Sequence, residues 1–170
     1  SAILETTDAL IVVLDTQGQI LRFNRACEQT TGYTFAEGRG KRVWDFLLVA
    51  EEIEPVKSVF GNLQSGHFPN RFENVWVTKA GQRRHIRWSN TTMLDHQGDV
   101  VYIIGTGIDI TTEMQTEVAW SESEERFRSM VEASIQGIYI HQEGVIQFAN
   151  PAMARMFGYD SPDALVGQPY

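Results

Sequence analysis

The stretch Ala9-Leu10-Ile11-Val12-Val13-Leu14-Asp15-Thr16-Gln17-Gly18-Gln19-Ile20-Leu21-Arg22-Phe23-Asn24 decides the architecture. Two short apolar runs flank a turn at Thr16-Gln17-Gly18-Gln19, and that arrangement predicts a β-hairpin. Asn24 stands where a helix over Arg25 to Thr31 would take its N-cap, and Gly32 stands where that helix would end. Farther on, Glu51 to Leu63 carries Ile53, Val56, Val59, Phe60 and Leu63 at the three-to-four spacing of one helical face. Pro55 falls in the first turns of that helix, where its missing donor costs least. Phe72 to Lys79, Arg83 to Leu94 and Val100 to Ile110 read as strands, with turns at Ala80-Gly81 and Asp95-His96-Gln97-Gly98-Asp99. Tight turns make the neighbouring strands antiparallel. The order predicts an α+β fold, one sheet with helices on one face.

The opening pattern then recurs. Arg22-Phe23-Asn24 followed by Gly32-Tyr33 is matched by Gln147-Phe148-Ala149-Asn150 followed by Gly158-Tyr159, with the same Asn-to-Gly spacing. An internal repeat outranks a local pattern. Between the copies, residues 112–131 lack Gly and Pro and are rich in Glu and Arg, which predicts a connector helix. The second copy reaches Tyr170 before any counterpart of the long helix and the last three strands. About 45 residues cannot bury a sheet face alone. The expectation is therefore a complete unit over 1–111, a connector over 112–131, and the first part of a second unit over 132–170, cut from a longer protein. Its apolar set of Ile138, Ile140, Val145, Ile146, Phe148, Met153, Met156 and Phe157 is expected to pack against the first unit or against another copy of the chain.

Composition narrows the function classes. The 170 residues carry 14 Lys and Arg against 22 Asp and Glu, a net charge of −8, with 42% hydrophobic residues. That is globular composition rather than disorder. The acidic balance argues against nucleic acid as a partner, since phosphate contacts need clustered cations. A single cysteine excludes an internal disulfide and a Cys-based structural zinc site, and fits a reducing compartment. No apolar run approaches the ~20 residues of a membrane span, and no signal peptide is visible. No membrane contact is expected within this stretch. A cytoplasmic location is expected, whether or not the parent protein is membrane-anchored.

The repeat resembles the PAS family of sensor domains. The resemblance rests on Phe23-Asn24…Gly32-Tyr33-Thr34, Gly40-Lys41, Lys79-Ala80-Gly81, and Ile104-Gly105-Thr106-Gly107-Ile108-Asp109-Ile110-Thr111. The Asp-Ile-Thr close, the PAC motif, is the most specific of these. Ser121 to Arg128 looks like the connector that opens a following PAS domain. The resemblance implies a five-stranded antiparallel sheet with short helices over one face. It also implies a sensory role within a bacterial signalling protein, commonly a sensor histidine kinase of a two-component system or a diguanylate cyclase. At Gly38-Arg39 the chain departs from the family's apolar pair, which predicts a loosened helix there. Fold alone does not fix a ligand.

No catalytic constellation stands out, so no enzyme activity is expected. Cys27 has no base nearby and Glu28 would raise its pKa, so a half-buried packing role is expected. Light-sensing flavin members of the family carry Asn-Cys-Arg where this chain has Arg42-Val43-Trp44, so a covalent photoactive flavin is not expected. Haem-binding members use a His on the long helix, where none occurs between Glu51 and Ser65. The family's inward face maps onto Phe72, Asn74 and Trp76, onto Ile86, Trp88 and Asn90, and onto Ile103, Gly105 and Gly107. Aromatics and amides facing glycines suit a small-molecule pocket, with a flavin or another flat compound as the ligand. The competing expectation is that Trp76 and Trp88 fill the space left by the glycines. That would make the domain a ligand-free protein-interaction or spacer module.

The other face carries Val75, Val77, Tyr102, Ile104 and Ile108, with Glu73, Arg83, His85 and Arg87 as a polar rim. A wet face should be polar, so a cover is expected: the N-terminal segment, the connector helix or a partner chain. Trp120, Phe127, Met130 and Val131 form an apolar stripe on the connector. Both surfaces are candidates for a homodimer contact. Asp109 and Thr111 are expected to tie the last strand to the connector and relay a signal through it.

Overall fold

The computed structural model describes residues 9–169, which fall into two compact units divided between Met114 and Gln115. The N-terminal segment considered above as a cover lies outside the described residues.

In the first unit, β1 (Leu10–Leu14) and β2 (Ile20–Phe23) form the expected antiparallel hairpin. The helix α1 (Arg25–Thr31) starts on Asn24 and stops at Gly32, whose φ of 74° is the left-handed conformation that glycine adopts without a Cβ penalty. The short helices α2 (Phe35–Gly38) and α3 (Val43–Phe46) follow, and then α4 (Ala50–Gln64). Strands β3 (Asn70–Val77), β4 (Arg83–Leu94) and β5 (Val100–Asp109) complete the unit. The sheet order is β2-β1-β5-β4-β3, and every neighbouring pair is antiparallel. The last strand therefore lies between the first hairpin and the β3–β4 pair, so the sheet closes only after the whole unit has been made.

Alternation along the strands sends Leu10, Val12, Leu14, Trp76, Ile86, Trp88 and Ile103 into one buried core with Phe60 and Leu63 of α4. The loosening expected at Gly38-Arg39 does not occur. Thr34 and Glu37 form a reciprocal capping box, and Gly38 is buried beneath Phe46, whose ring a Cβ would approach to 2.9 Å. The glycine makes room for that ring.

In the second unit, α5 (Thr111–Ala133) covers and slightly exceeds the expected connector, and its first residues belong to the first unit. The hairpin β6 (Tyr139–Gln142) and β7 (Val145–Ala149) follows, then α6 (Pro151–Met156) and a 3-10 turn over Pro162–Ala164. Ile146, Ala149, Ala154 and Leu165 form its small core, with Tyr139 and Met153 packed against it. Ile140, Met156 and Phe157 of the expected apolar set remain exposed.

Candidate functional site

A cleft lies between α4 and the inner face of the sheet. Its lining includes Phe72, Asn74 and Trp76 of β3, Trp88 and Asn90 of β4, and Ile103 and Gly105 of β5. Of the expected inward face, Phe72, Asn74, Trp76, Trp88, Asn90, Ile103 and Gly105 come together here, whereas Ile86 and Gly107 pack beneath Trp88. Val12 and Leu14 of β1, Val43 of α3, and Val56, Val59, Phe60 and Leu63 of α4 supply the other walls. These aliphatic walls were not assigned to the site from sequence, although the helical spacing of Val56, Val59, Phe60 and Leu63 marked them as one face.

The aromatic end is tightly filled. Trp76 is 1% exposed, and its ring centroid lies 4.9 Å from that of Trp88 at a 45° tilt. The Trp88 indole N–H donates to Asn74 Oδ1 at 2.9 Å, so the one polar atom of that ring is satisfied inside the core. A Cβ at Gly107 would come within 2.8 Å of Trp88 and Ile86, and one at Gly105 within 3.1 Å of Trp88 and Val12. The glycines make room for Trp88 itself. What remains free is about 60 Å³, room for a few waters and far below the ~300–1,000 Å³ typical of ligand sites.

The wall formed by α4 is held by side-chain contacts. Phe60 and Leu63 are buried, Ile53, Val56 and Val59 pack half-buried against the core, and the N-cap Val49 makes no side-chain cap bond. Glu52 accepts from the Val75 N–H at 3.3 Å, and Gln64 donates to the Thr16 carbonyl at 2.7 Å. The opposite wall, the central sheet, is fixed by long ladders.

Asp109 and Thr111 meet at the junction of β5 and α5. The Thr111 backbone N–H donates to Asp109 Oδ1 at 2.9 Å, and its hydroxyl donates to the same oxygen. The His85 backbone N–H donates to Thr111 Oγ1 at 2.8 Å, and the Ile110 N–H donates to the His85 carbonyl at 2.8 Å. The Arg84 guanidinium stands 3.6 Å from Asp109 Oδ2. The start of α5 is thus fastened to β4 as well as to the end of β5. Arg84 was missed from sequence because it is adjacent to these groups only across the β4–β5 ladder.

On the outer face Ile108 is 61% exposed, and Glu73 and Arg87 of the rim pair at 2.6 Å. Trp120, Phe127 and Met130 of α5 are exposed. Cys27 is fully buried rather than half-buried, and burial pushes its thiol up to about 12. Among the described residues no group of three His, Cys, Asp or Glu side chains could hold a metal, and no helix is long and apolar enough to cross a membrane.

A family model described as PAS fold matches residues 4–115, and one described as PAS domain matches residues 125–170. The chain is 28% identical over 117 residues to the cyclic di-GMP phosphodiesterase PdeR of Escherichia coli, covering 68% of this chain and 17% of that protein. It is 27% identical over 125 residues to the sensor histidine kinase TmoS of Ectopseudomonas mendocina, covering 71% and 13%. The chain therefore spans under a fifth of the length of these relatives. The PAS domain of the RpfR quorum-sensing receptor of Cronobacter turicensis is similar in structure. Its complex with BDSF has 26% identity and a TM-score of 0.53, and its complex with C12:0 has 26% and 0.55, each covering 62% of this chain and 96% of that one. With the five-stranded antiparallel order and the matched closing motif, these likenesses agree on one conclusion: the chain belongs to the PAS family of sensor domains.

Proposed function

We propose that this chain is a non-catalytic sensory segment of a cytoplasmic signalling protein of the histidine-kinase or cyclic-di-GMP kind. A PAS unit over 1–111 senses a small molecule, a connector over 112–131 carries the change onward, and 132–170 opens a second PAS unit. The observation that carries the reading is the cleft, which has apolar walls, amides at Asn74 and Asn90, and one side formed by α4. Its lining favours a slender, mainly aliphatic ligand over the flat ring compound expected from sequence. The complexes of the RpfR domain with BDSF and C12:0 support small-molecule occupancy of this kind of fold. Ligand entry moves α4 against the sheet. The bonds among Asp109, Thr111 and His85 pass strain in β4 and β5 to the root of α5.

Two variants test the reading. Removing a buried aromatic side chain costs ~3–5 kcal/mol, so Trp88→Ala destabilises the first unit in any case. With octan-1-ol as probe, occupancy raises the melting temperature of the wild-type chain and raises that of the variant much less. Equal shifts would place the probe elsewhere. In the parent protein, Asp109→Ala and Thr111→Ala keep the fold and abolish the output response.

A second reading is a ligand-free interaction or spacer domain, and the packed Trp76–Trp88 pair and small free volume favour it. Homodimerisation through the outer sheet face or the connector is compatible with either reading. The exposed Ile108 and the exposed Trp120 and Phe127 support one route each. Sedimentation of Ile108→Glu against Trp120→Glu identifies the surface, since the variant that becomes monomeric carries the contact.

A further inference from the structure

The inner face of the sheet holds polar atoms that the protein itself does not satisfy. Asn70 and Asn90 are register partners across β3 and β4. Thr92 follows Asn90 by two residues, on the same face of β4, opposite Ile103 of β5. The Asn70 Oδ1 and the Thr92 Oγ1 are buried atoms of half-buried side chains, and neither has a hydrogen-bond partner among the described residues. Other buried polar side chains of this unit are satisfied. Asn24 accepts from Ile11 and Cys27, Thr31 donates to the Cys27 carbonyl, Asn74 accepts from Trp88, and Thr111 bonds His85 and Asp109. Buried polar atoms in native proteins are almost always paired, so two orphans on one face need an explanation.

Their neighbours give it. Phe72, Asn90 and Ile103 stand beside Asn70 and Thr92 in the strand registers, and all three line the cleft. The orphans therefore adjoin the cleft along its β3–β4 side, beyond the filled tryptophan end. Among the described residues no charged side chain lines the cleft. An ionised ligand head would be stripped of water there without a countercharge, which is costly. A carboxylate also has no proton to give to Asn70 Oδ1, an acceptor. A hydroxyl or a primary amide both donates and accepts, and it would satisfy both orphan atoms.

We infer that the cleft selects a neutral amphiphile, an alkyl chain ending in an alcohol or primary amide, with Asn70 Oδ1 and Thr92 Oγ1 as the hydrogen-bond pair that reads the head. The chain lies against Val12, Leu14, Val56 and Val59, and α4 moves outward to admit it. This inference rests on the cleft being a ligand site.

The test uses the whole chain and four probes of equal length: octan-1-ol, octanamide, octanoate at pH 8, and octane. Binding is followed by the amide resonances of β3, β4 and α4 in an NMR titration. Octan-1-ol and octanamide are expected to bind at least tenfold more tightly than octanoate. Thr92→Val and Asn70→Leu should each weaken octan-1-ol two- to tenfold, the worth of one net hydrogen bond, and leave octane unchanged. Because each variant removes an orphan atom, the ligand-free melting temperature should stay level or rise, which a purely structural role for these side chains would not produce. If octane binds and the alcohol, amide and octanoate bind no differently from one another, the head-group inference fails and the cleft reading stands. If octanoate binds as tightly as the alcohol, or both variants bind octan-1-ol as the wild type does, the inference is likewise overturned. If none of the four probes shifts the cleft resonances, the cleft reading fails and takes the inference with it.

Discussion

The corners built on Asn24 and Asn150 are the same device used twice. Asn24 Oδ1 accepts from the Ile11 and Cys27 N–H groups, and its amide donates to the Ala9 carbonyl. Asn150 Oδ1 accepts from the Ile138 and Met153 N–H groups, and its amide donates to the Val131 and Gln136 carbonyls. Each side chain ties the first strand of a hairpin to the start of the helix after the second, and each caps that helix. Gly18 and Gly144 turn their hairpins with φ of 78° in both copies, and Gly32 and Gly158 follow the helices with φ of 74° and 80°. The surroundings differ. The first hairpin is locked into a five-stranded sheet through β5, whereas β6 and β7 form a two-stranded sheet extended by an isolated bridge from Val145 to Pro169. The corner is thus a local structure that its own residues specify. The cleft is not local: it needs β3, β4, β5 and α4, and only the first unit contains them.

The comparison breaks first, and hardest, at the asparagines. Asn24→Ala leaves buried backbone groups of Ala9, Ile11 and Cys27 unpaired, and should cost about 1–3 kcal/mol of global stability in the first unit. Asn150→Ala removes four bonds from a smaller structure, so a loss of comparable size should open the second unit outright. Hydrogen exchange reads both. The Ile138 and Met153 amides should lose protection in Asn150→Ala, and the first unit should be unaffected. Equal residual protection in the two variants would mean that the second hairpin has support beyond its corner.

The paired glycines sharpen the comparison at smaller scale. A Cβ at Gly144 meets nothing within 4 Å, whereas one at Gly18 runs into the Trp44 ring. Both substitutions place alanine at positive φ, which costs roughly 1–2 kcal/mol. Gly18→Ala should cost a further ~1–3 kcal/mol for the clash, because Trp44 packs edge-on against Phe60 at 5.2 Å and has little room to yield. Chemical denaturation of the two variants measures the difference. Equal losses would show that Trp44 is freely displaced.

The smallest effect is electrostatic. Glu37 closes its capping box and pairs with Lys79 at 2.6 Å, joining α2 to the β3–β4 turn. Residues 115–170 contain no lysine with which to repeat the pair. The hydrogen bond from Lys79, then those from the Thr34 backbone and hydroxyl, hold the Glu37 carboxyl down at about 2 from its ordinary 4.5. A lowered pKa gives stability that is present in full above about 4.5 and lost as the pH falls toward about 2. The melting temperature of the wild type should exceed that of Glu37→Gln by a small, constant margin at neutral pH. The margin should shrink to nothing across that acid window. A margin unchanged at pH 2 would remove Glu37 from the account.

The same division between local and non-local explains what the sequence reveals. The hairpin, Asn24 and Gly32 are legible because turn, cap and stop signals act within a few residues of one another. The inner face of β3 to β5 is legible because the period of a strand is two, so Asn74, Trp76 and Trp88 fall on one side once the strands are placed. The same periodicity extends to Asn70 and Thr92, but no sequence signal shows that their oxygens lack partners, because satisfaction depends on neighbours brought in by other strands. Arg84 beside Asp109 and Trp44 over Gly18 are hidden for the same reason. The size of the cleft is beyond any pattern, since it is the small remainder left after Trp76, Trp88, Phe60 and Leu63 have packed.

The most direct test of the central claim is native mass spectrometry of the intact chain, as purified without denaturation and again after incubation with octan-1-ol and octane. The account predicts a species heavier than the 19.2 kDa chain by a single small molecule, at one per chain and strongly reduced in Trp88→Ala. The bare chain mass alone under all of these conditions would contradict it, and would identify the first unit as a filled-core interaction domain.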